Sequence, residues 1–211
     1  AYLDNELKTE VNLDGSIHLT DRLSTATLLH FEDRQMDHDG NDDGFMDMPK
    51  LRQYNIMHRW AYVSPRWISQ LMVRALHDDR NGGQSRKHAA ADAAEQLYTT
   101  SVKTNRYEMQ WKNGFTLNSD HNTSVALMMH GSWHDADNIF GMTRYDVTQK
   151  NGYAQLMFET DINEHNNISV GASLNHDYYD ERFNPLGAMP DAGRKTTKET
   201  IPGLYAQYTY K

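Results

Sequence analysis

The sequence has no cysteine, no run near the roughly 18 consecutive apolar residues of a membrane-spanning helix, and no basic-then-apolar leader at its start. The first absence excludes a disulfide or cysteine–metal framework, but it does not fix a compartment, since a closed β-barrel needs no staple. The second excludes a transmembrane helix and leaves strands open as a way across a membrane. Hydrophobic residues are scarce, at 38%, and mean hydropathy is −0.82. Positive charge is in deficit as well. With 21 Lys and Arg against 29 Asp and Glu, the net charge of −8 argues against nucleic acid or an anionic membrane surface as the main partner.

Aromatics are plentiful: 12 Tyr and 4 Trp make disorder a poor account of the low hydropathy. Many aromatics with few aliphatic runs suit strands that present one apolar and one polar face. The alternation itself is visible. Leu3, Leu7, Val11 and Leu13 alternate with Asp4, Glu6, Lys8 and Glu10 in a first segment. Ile17, Leu19, Leu23, Leu29 and Phe31 oppose His18, Thr20, Arg22, Ser24, His30 and Glu32 in a second. Tyr107, Met109, Trp111, Phe115 and Leu117 oppose Arg106, Glu108, Gln110 and Lys112. With similar patterns at 51–63, 67–77, 123–134, 153–162, 168–179 and 201–211, about nine strands are expected. Leu3, Leu7, Leu19, Phe31, Tyr54, Trp111, Phe115, Leu156, Phe158, Val170 and Leu204 are expected on one face, and His18, Arg22, His30, Glu32, Arg59, Arg106, Glu108 and Lys112 on the other. Both ends begin and stop in alternation, so the chain is expected to be an internal piece of something longer.

Short joints are expected at Asn12 to Gly15, Val63 to Arg66, Asn118 to Asn122 and Asn163 to Asn167. Long polar connections are expected at 33–50, 78–104, 135–152 and 180–200, with a helical turn or two in His88 to Gln96. Arg80 to Gln84 and Asn184 to Gly187 read as loop turns. Tight turns on one side and long loops on the other mark outer-membrane barrels. Trp60, Tyr62, Trp67, Tyr107, Trp133, Tyr178, Tyr208 and Tyr210 sit near strand ends, where interfacial girdles would put them and where plain β-propensity would too. The expected fold is all-β: part of an antiparallel transmembrane barrel, occupying 1–211.

The sharpest motif is D-x-N-x-D-G-x-x-D, from Asp39 to Asp47. Calcium takes six to eight oxygens, which alternate side chains of a wound loop can supply, with glycine at the sixth position for the sharp turn. Asp39, Asn41 and Asp43 would take positions one, three and five, the Phe45 carbonyl seven and Asp47 nine. Position twelve is Lys50 instead of Glu, so Asp37 or Asp33 would have to complete the set. A solvated acidic loop is the alternative. Met128, His130 and His134 share one strand face, as do His18 and His30, which soft metals would accept, although polar barrel linings commonly carry such residues. No nucleophile elbow, phosphate loop or paired carboxylates suggest catalysis, and no enzyme activity is expected.

Several segments resemble a known family: Asn55 to Trp60 (NIMHRW), Leu76 to Gln84 (LHDDRNGGQ), Phe140 to Tyr145 (FGMTRY), Asn151 to Ala154 (NGYA) and Ile201 to Tyr210 (IPGLYAQYTY). They are similar to the barrel wall of TonB-dependent outer-membrane receptors, closest to the Bacteroidetes-type cobalamin and iron-chelate branch, where the acidic loop also occurs. The likeness covers nearly the whole chain but only the middle of such a protein. It implies a 22-stranded barrel in the outer membrane, plugged by a separate N-terminal domain. Such a receptor imports a small scarce nutrient with energy delivered through the TonB complex, in some cases helped by a surface lipoprotein. Two other classes stay open: a different outer-membrane barrel such as a porin or adhesin, and a soluble carbohydrate-binding or hydrolytic β-protein.

Overall fold

The computed structural model describes residues 2–3, 8–85, 97–185 and 193–210. The elements are β1 (Tyr2–Leu3), β2 (Thr9–His18), β3 (Leu23–Arg34), β4 (Lys50–Val63), β5 (Trp67–Gly83), β6 (Thr99–Asn118), β7 (Thr123–Phe140), β8 (Thr143–Asn163), β9 (Asn166–Asn184) and β10 (Arg194–Tyr210). They form one antiparallel sheet in sequence order, so every strand pairs with its neighbours in the chain. Within the described residues β1 and β10 do not pair with each other, and the sheet is open. No described helix is long and apolar enough to cross a membrane, which leaves strands out of account.

Four connections at one rim are tight: 19–22, 64–66, 119–122 and 164–165. Each is built by short polar side chains. The Thr20 hydroxyl accepts from the Arg22 and Leu23 amides, Ser64 Oγ accepts from the Trp67 amide, and Asn118 and Asn163 accept from Asp120 and His165. From β3 onward, the connections at the other, distal rim are 35–49, 84–98, 141–142 and 185–193.

Three expectations need correction. Asn12-Leu13-Asp14-Gly15 is no turn: it lies inside β2, paired from Asn12↔His30 to Gly15↔Thr27, and the turn is Leu19 to Arg22. Asn, Asp and Gly mark turns by composition, but here Asn12 and Asp14 fall on the polar face, where such residues cost little. Leu19, Thr20 and Arg22 therefore sit in a turn, on neither strand face. Second, most of 135–152 and 180–200 and both ends of 78–104 are strand, including Arg80 to Gly83; the connection within 135–152 shrinks to Gly141-Met142, and the strict short–long order breaks there. The backbone ladder simply outruns the hydrophobic alternation. Third, the expected first segment is divided between β1 and β2, which pair as Tyr2↔Glu10 and Leu3↔Thr9. Leu7 and the helix expected over His88 to Gln96 lie outside the described residues.

There is almost no conventional core. The only buried hydrophobic residues among those described are Leu51, Ala136 and Val147, while Leu204 is 88% exposed. Large apolar side chains from β2 to β10 stand in the open on one side, and among the described residues no second sheet covers them. A soluble sandwich would enclose that face. What holds the described chain together is the hydrogen-bonded ladder and the cross-strand pairs upon it.

Candidate functional site

Paired residues of antiparallel strands share a face, so register assigns every side chain. One face carries Val11, Leu13 and Ile17 of β2, Leu29 and Phe31 of β3, Tyr54 and Ile56 of β4, and Leu71 and Val73 of β5. It continues through Met109, Trp111 and Phe115 of β6, Val125, Leu127 and Met129 of β7, Leu156 and Phe158 of β8, Val170 and Leu174 of β9, and Leu204 of β10. Of the residues expected together, Phe31, Tyr54, Trp111, Phe115, Leu156, Phe158, Val170 and Leu204 do share it.

The same face changes character along each strand. On β7, Val125, Leu127, Met129, Gly131 and Trp133 are followed by Asp135 and Asp137; on β6, Phe115 to Tyr107 is followed by Asn105 and Lys103. On β3 Phe31 gives way to Asp33, and on β9 Tyr178 gives way to Asp180. The apolar stretch spans about nine residues, or roughly 26 Å along a strand. At a tilt of about 40° that covers about 20 Å of thickness.

Aromatic rows border the band on both sides. Near the tight turns, Tyr62, Trp67 and Phe115 line up with ring centroids 4.7 Å and 5.8 Å apart, the second pair stacked at 4°. At the distal border Phe31 meets Tyr54 at 5.1 Å and Tyr107 meets Trp133 at 5.8 Å. Several polar groups inside the band find partners within it, although the buried Asn113 Nδ2 has none among the described residues. The His58 nitrogens bond the Thr25 and Thr27 hydroxyls, both at 2.7 Å; Trp111 Nε1 donates to Ser69 Oγ at 3.2 Å and Trp67 Nε1 to Asn113 Oδ1 at 3.3 Å. Such pairing matters most where no water can replace it.

The opposite face is a polar network. Glu108 sits between Arg106 (2.7 Å) and Arg74 (3.4 Å), and Arg74 also donates to Asn55. Lys8 bridges Glu10 and Glu32, His30 bonds Asn12, and Asn151 joins Asn175 to Asp177. His18, Arg59 and Lys112 lie on this face, as do Met128, His130 and His134; Arg22 does not, being in a turn.

The acidic loop occupies 35–49 at the distal rim. Its side chains turn onto its own backbone: Asp39 Oδ2 accepts from the Gly44 amide, Asn41 Oδ1 from Asp43, Asp43 Oδ1 from Phe45, and Asp47 Oδ2 from Gly40. Asp42 and Gly44 adopt positive φ of 57° and 84°, the sharp bend foreseen at the glycine. The loop is pinned to the neighbouring hairpin by Met46 N to Gly83 O and Ser85 N to Gly44 O, either side of the Phe45↔Gln84 bridge. Asp33, a candidate twelfth-position substitute, is engaged elsewhere by Gln35 and Arg52. Asp37 lies in the same loop. Among the described residues no group of three His, Cys, Asp or Glu side chains is arranged to hold a metal; a calcium loop would also draw on the Asn41 amide and the Phe45 carbonyl.

Comparison with protein-family models, curated proteins and solved structures returned no match.

Two features escaped sequence reasoning: the change of polarity along one face, and the lysines at its border. The first was readable by following alternate residues past the last apolar one, as in Trp133-x-Asp135-x-Asp137. The second depends on register and was not.

Proposed function

We propose that this chain is wall of an outer-membrane β-barrel that belongs to a TonB-dependent import receptor for a small scarce nutrient such as a cobalamin, haem or other metal chelate. The observation that carries the membrane part is the apolar band: bordered by aromatic rows, it ends in charge on the same face of the same strands. Nine strands at about 4.8 Å spacing and a band about 26 Å long make roughly 1,100 Å² of apolar sheet, well above the 300–600 Å² of an ordinary monomer's largest patch. Lipid contact accounts for it. The tight-turn rim is then periplasmic and the long distal hairpins lie outside the cell.

The import part rests on the segments similar to TonB-dependent receptors and on the polar face. Ion pairs such as Arg106–Glu108 and many amide contacts suit a lining that holds a plug domain through bonds that can break during transport. The distal hairpins would close over ligand, with a surface lipoprotein as possible helper. Calcium in the 35–49 loop, held by Asp39, Asn41, Asp43, the Phe45 carbonyl and Asp47, with Asp37 as an extra ligand, would neutralise an acidic tip beside the Gly83–Ser85 strand end. Nothing in these residues calls for catalysis. Deleting the gene should abolish growth on one metal chelate as a scarce nutrient and leave degradative activities intact. Loss of a hydrolase with uptake untouched would refute the proposal.

A further inference from the structure

On the apolar-band face, one cross-strand row runs Tyr107, Trp133, Lys150, Tyr178, Lys198 over β6 to β10. It marks the distal border of the band. Tyr107 is 50% and Trp133 49% exposed. Lys150 Nζ and Lys198 Nζ both lie 5.7 Å from the centre of the Tyr178 ring, one from each neighbouring strand. Two ammonium groups thus converge on one ring with no ion pair to a described carboxylate. The acids nearby are occupied or turned away. Asp180, two residues along β9, is held by Arg194 (3.0 Å and 2.9 Å) and Thr196, while the paired Asp177 and Glu199 lie on the opposite face. In a chain of net charge −8, this is a local cationic spot on a face otherwise apolar or acid-balanced.

To one side of the lysine pair, on β4 to β7, the band is indented at and just below the level of this row. A groove of about 540 Å³ runs along Ile56, Val73, Tyr107, Met109, Gly131 and Trp133. Gly131 pairs with Gly152, so two neighbouring strands lack side chains two residues below Trp133 and Lys150. A cationic pair at an aromatic border, with an apolar furrow opening beside it past Gly152 and Gly131, has the shape of an amphiphile: anion at the lysines, hydrocarbon alongside.

We propose that this row binds a phosphate-bearing lipid of the leaflet at the distal border, the phosphate between Lys150 and Lys198 and one acyl chain in the groove beside Gly131. The inference rests on the membrane-wall reading above. The chemistry is that of the membrane interface: tyrosine and tryptophan sit at headgroup level, and lysine stems lie along apolar surface while the ammonium reaches the phosphate. Overall acidity keeps the chain from adhering to anionic surfaces in general, which leaves a single lipid site and no carpet of them.

The test uses the full-length protein in detergent micelles containing phosphatidylcholine and phosphatidic acid, with bound lipid read by native mass spectrometry. The wild type should retain phosphatidic acid over phosphatidylcholine. Removing both charges (Lys150→Gln with Lys198→Gln) should cut that preference about thirtyfold, at about fivefold per lysine. Lys150→Arg with Lys198→Arg should largely preserve it. An unchanged preference in the double Gln variant, or displacement of the lipid by inorganic phosphate at equal concentration, would overturn the site. The underlying reading has its own readout, flotation with phosphatidylcholine vesicles: a protein that stays soluble and never floats would instead remove the membrane wall itself.

Discussion

Met129 lies midway along the β7 apolar stretch, between Trp111 and Ala154 in register, and is 39% exposed. If the band meets lipid, Met129→Arg places a guanidinium near the bilayer centre, at a cost of about 2–4 kcal/mol. That is roughly a 30- to 900-fold drop in the folding equilibrium constant. The same substitution one residue earlier, Met128→Arg, faces the polar side beside Lys112 and Gln155 and should cost less than about 1 kcal/mol. Val125→Arg, close to the tight-turn rim on the apolar face, should cost about 0–1 kcal/mol. The three variants thus separate depth from face.

Urea-dependent folding of the full-length protein into phosphatidylcholine vesicles, followed by tryptophan fluorescence, measures all three. A soluble sheet predicts a different order, because an arginine at a half-exposed surface position changes stability by about 0.5 kcal/mol or less. Should Met129→Arg fall within that range, or cost no more than Val125→Arg, the lipid-facing band is refuted.

The remaining predictions concern the distal rim. Asp43→Ala removes the acceptor of the Phe45 amide and the oxygen this residue would offer to calcium, so calcium affinity by titration calorimetry should fall about tenfold or more; unchanged binding would dismiss the loop as a calcium site. Gly141 has φ +60°, and a Cβ there would come within 2.7 Å of the Tyr98 ring, so Gly141→Ala should cost about 1 kcal/mol or more and speed amide exchange around Phe140 to Thr143; unaltered exchange would contradict this. Hydrogen bonds from Arg194 hold the Asp180 carboxyl below its ordinary value; burial pushes Asp33 up, but bonds from Gln35 and Arg52 outweigh it and hold that carboxyl below too. Such groups contribute stability that is fully present above the ordinary carboxylate value of about 3.9 and is lost as pH falls through the lowered folded value. Distal protection against exchange, taken relative to the intrinsic rate at each pH, should therefore stay level from about pH 5 to 8 and fall only in stronger acid; loosening near neutrality would point to other groups.

Legibility in the sequence followed where hydrophobicity alternates. β6 and β7 near their tight turns could be phased residue by residue, since Phe115, Trp111 and Val125, Leu127 leave no doubt about face. The ladder from Asp135 to Asp137 against Asp146 to Thr148 was not visible as strand, because only one small apolar pair, Ala136 with Val147, interrupts its polar residues and so short an alternation is a weak signal. Backbone hydrogen bonding continues regardless, since it needs only amides and carbonyls in register. Asn12 to Gly15 misled for the converse reason: residues that favour turns are tolerated in β2 when their partners, such as His30 for Asn12, take up their polar groups. The winding of the 35–49 loop followed its motif, because spacing alone puts Gly44 where the chain must bend. Whether oxygen atoms converge on an ion depends on distances that spacing does not supply.

The limit of hydrophobic alternation is itself informative. A soluble sheet whose hairpins projected into water would have no reason to change polarity at the same level on many strands, since each strand end would be solvated independently. Here Tyr107 to Asn105, Trp133 to Asp135 and Tyr178 to Asp180 change in one register row, Phe31 to Asp33 changes one row further out, and aromatic rings stand at the change. A common boundary imposed from outside the chain accounts for that coordination, and a bilayer interface is such a boundary. The same boundary explains the two lysines on Tyr178. Two residues lower the row holds Gly131, Gly152 and the bonded His176 and Thr200, and two residues higher Asp180 with Arg194; at the ring row an ammonium would reach a phosphate with its stem laid along apolar surface.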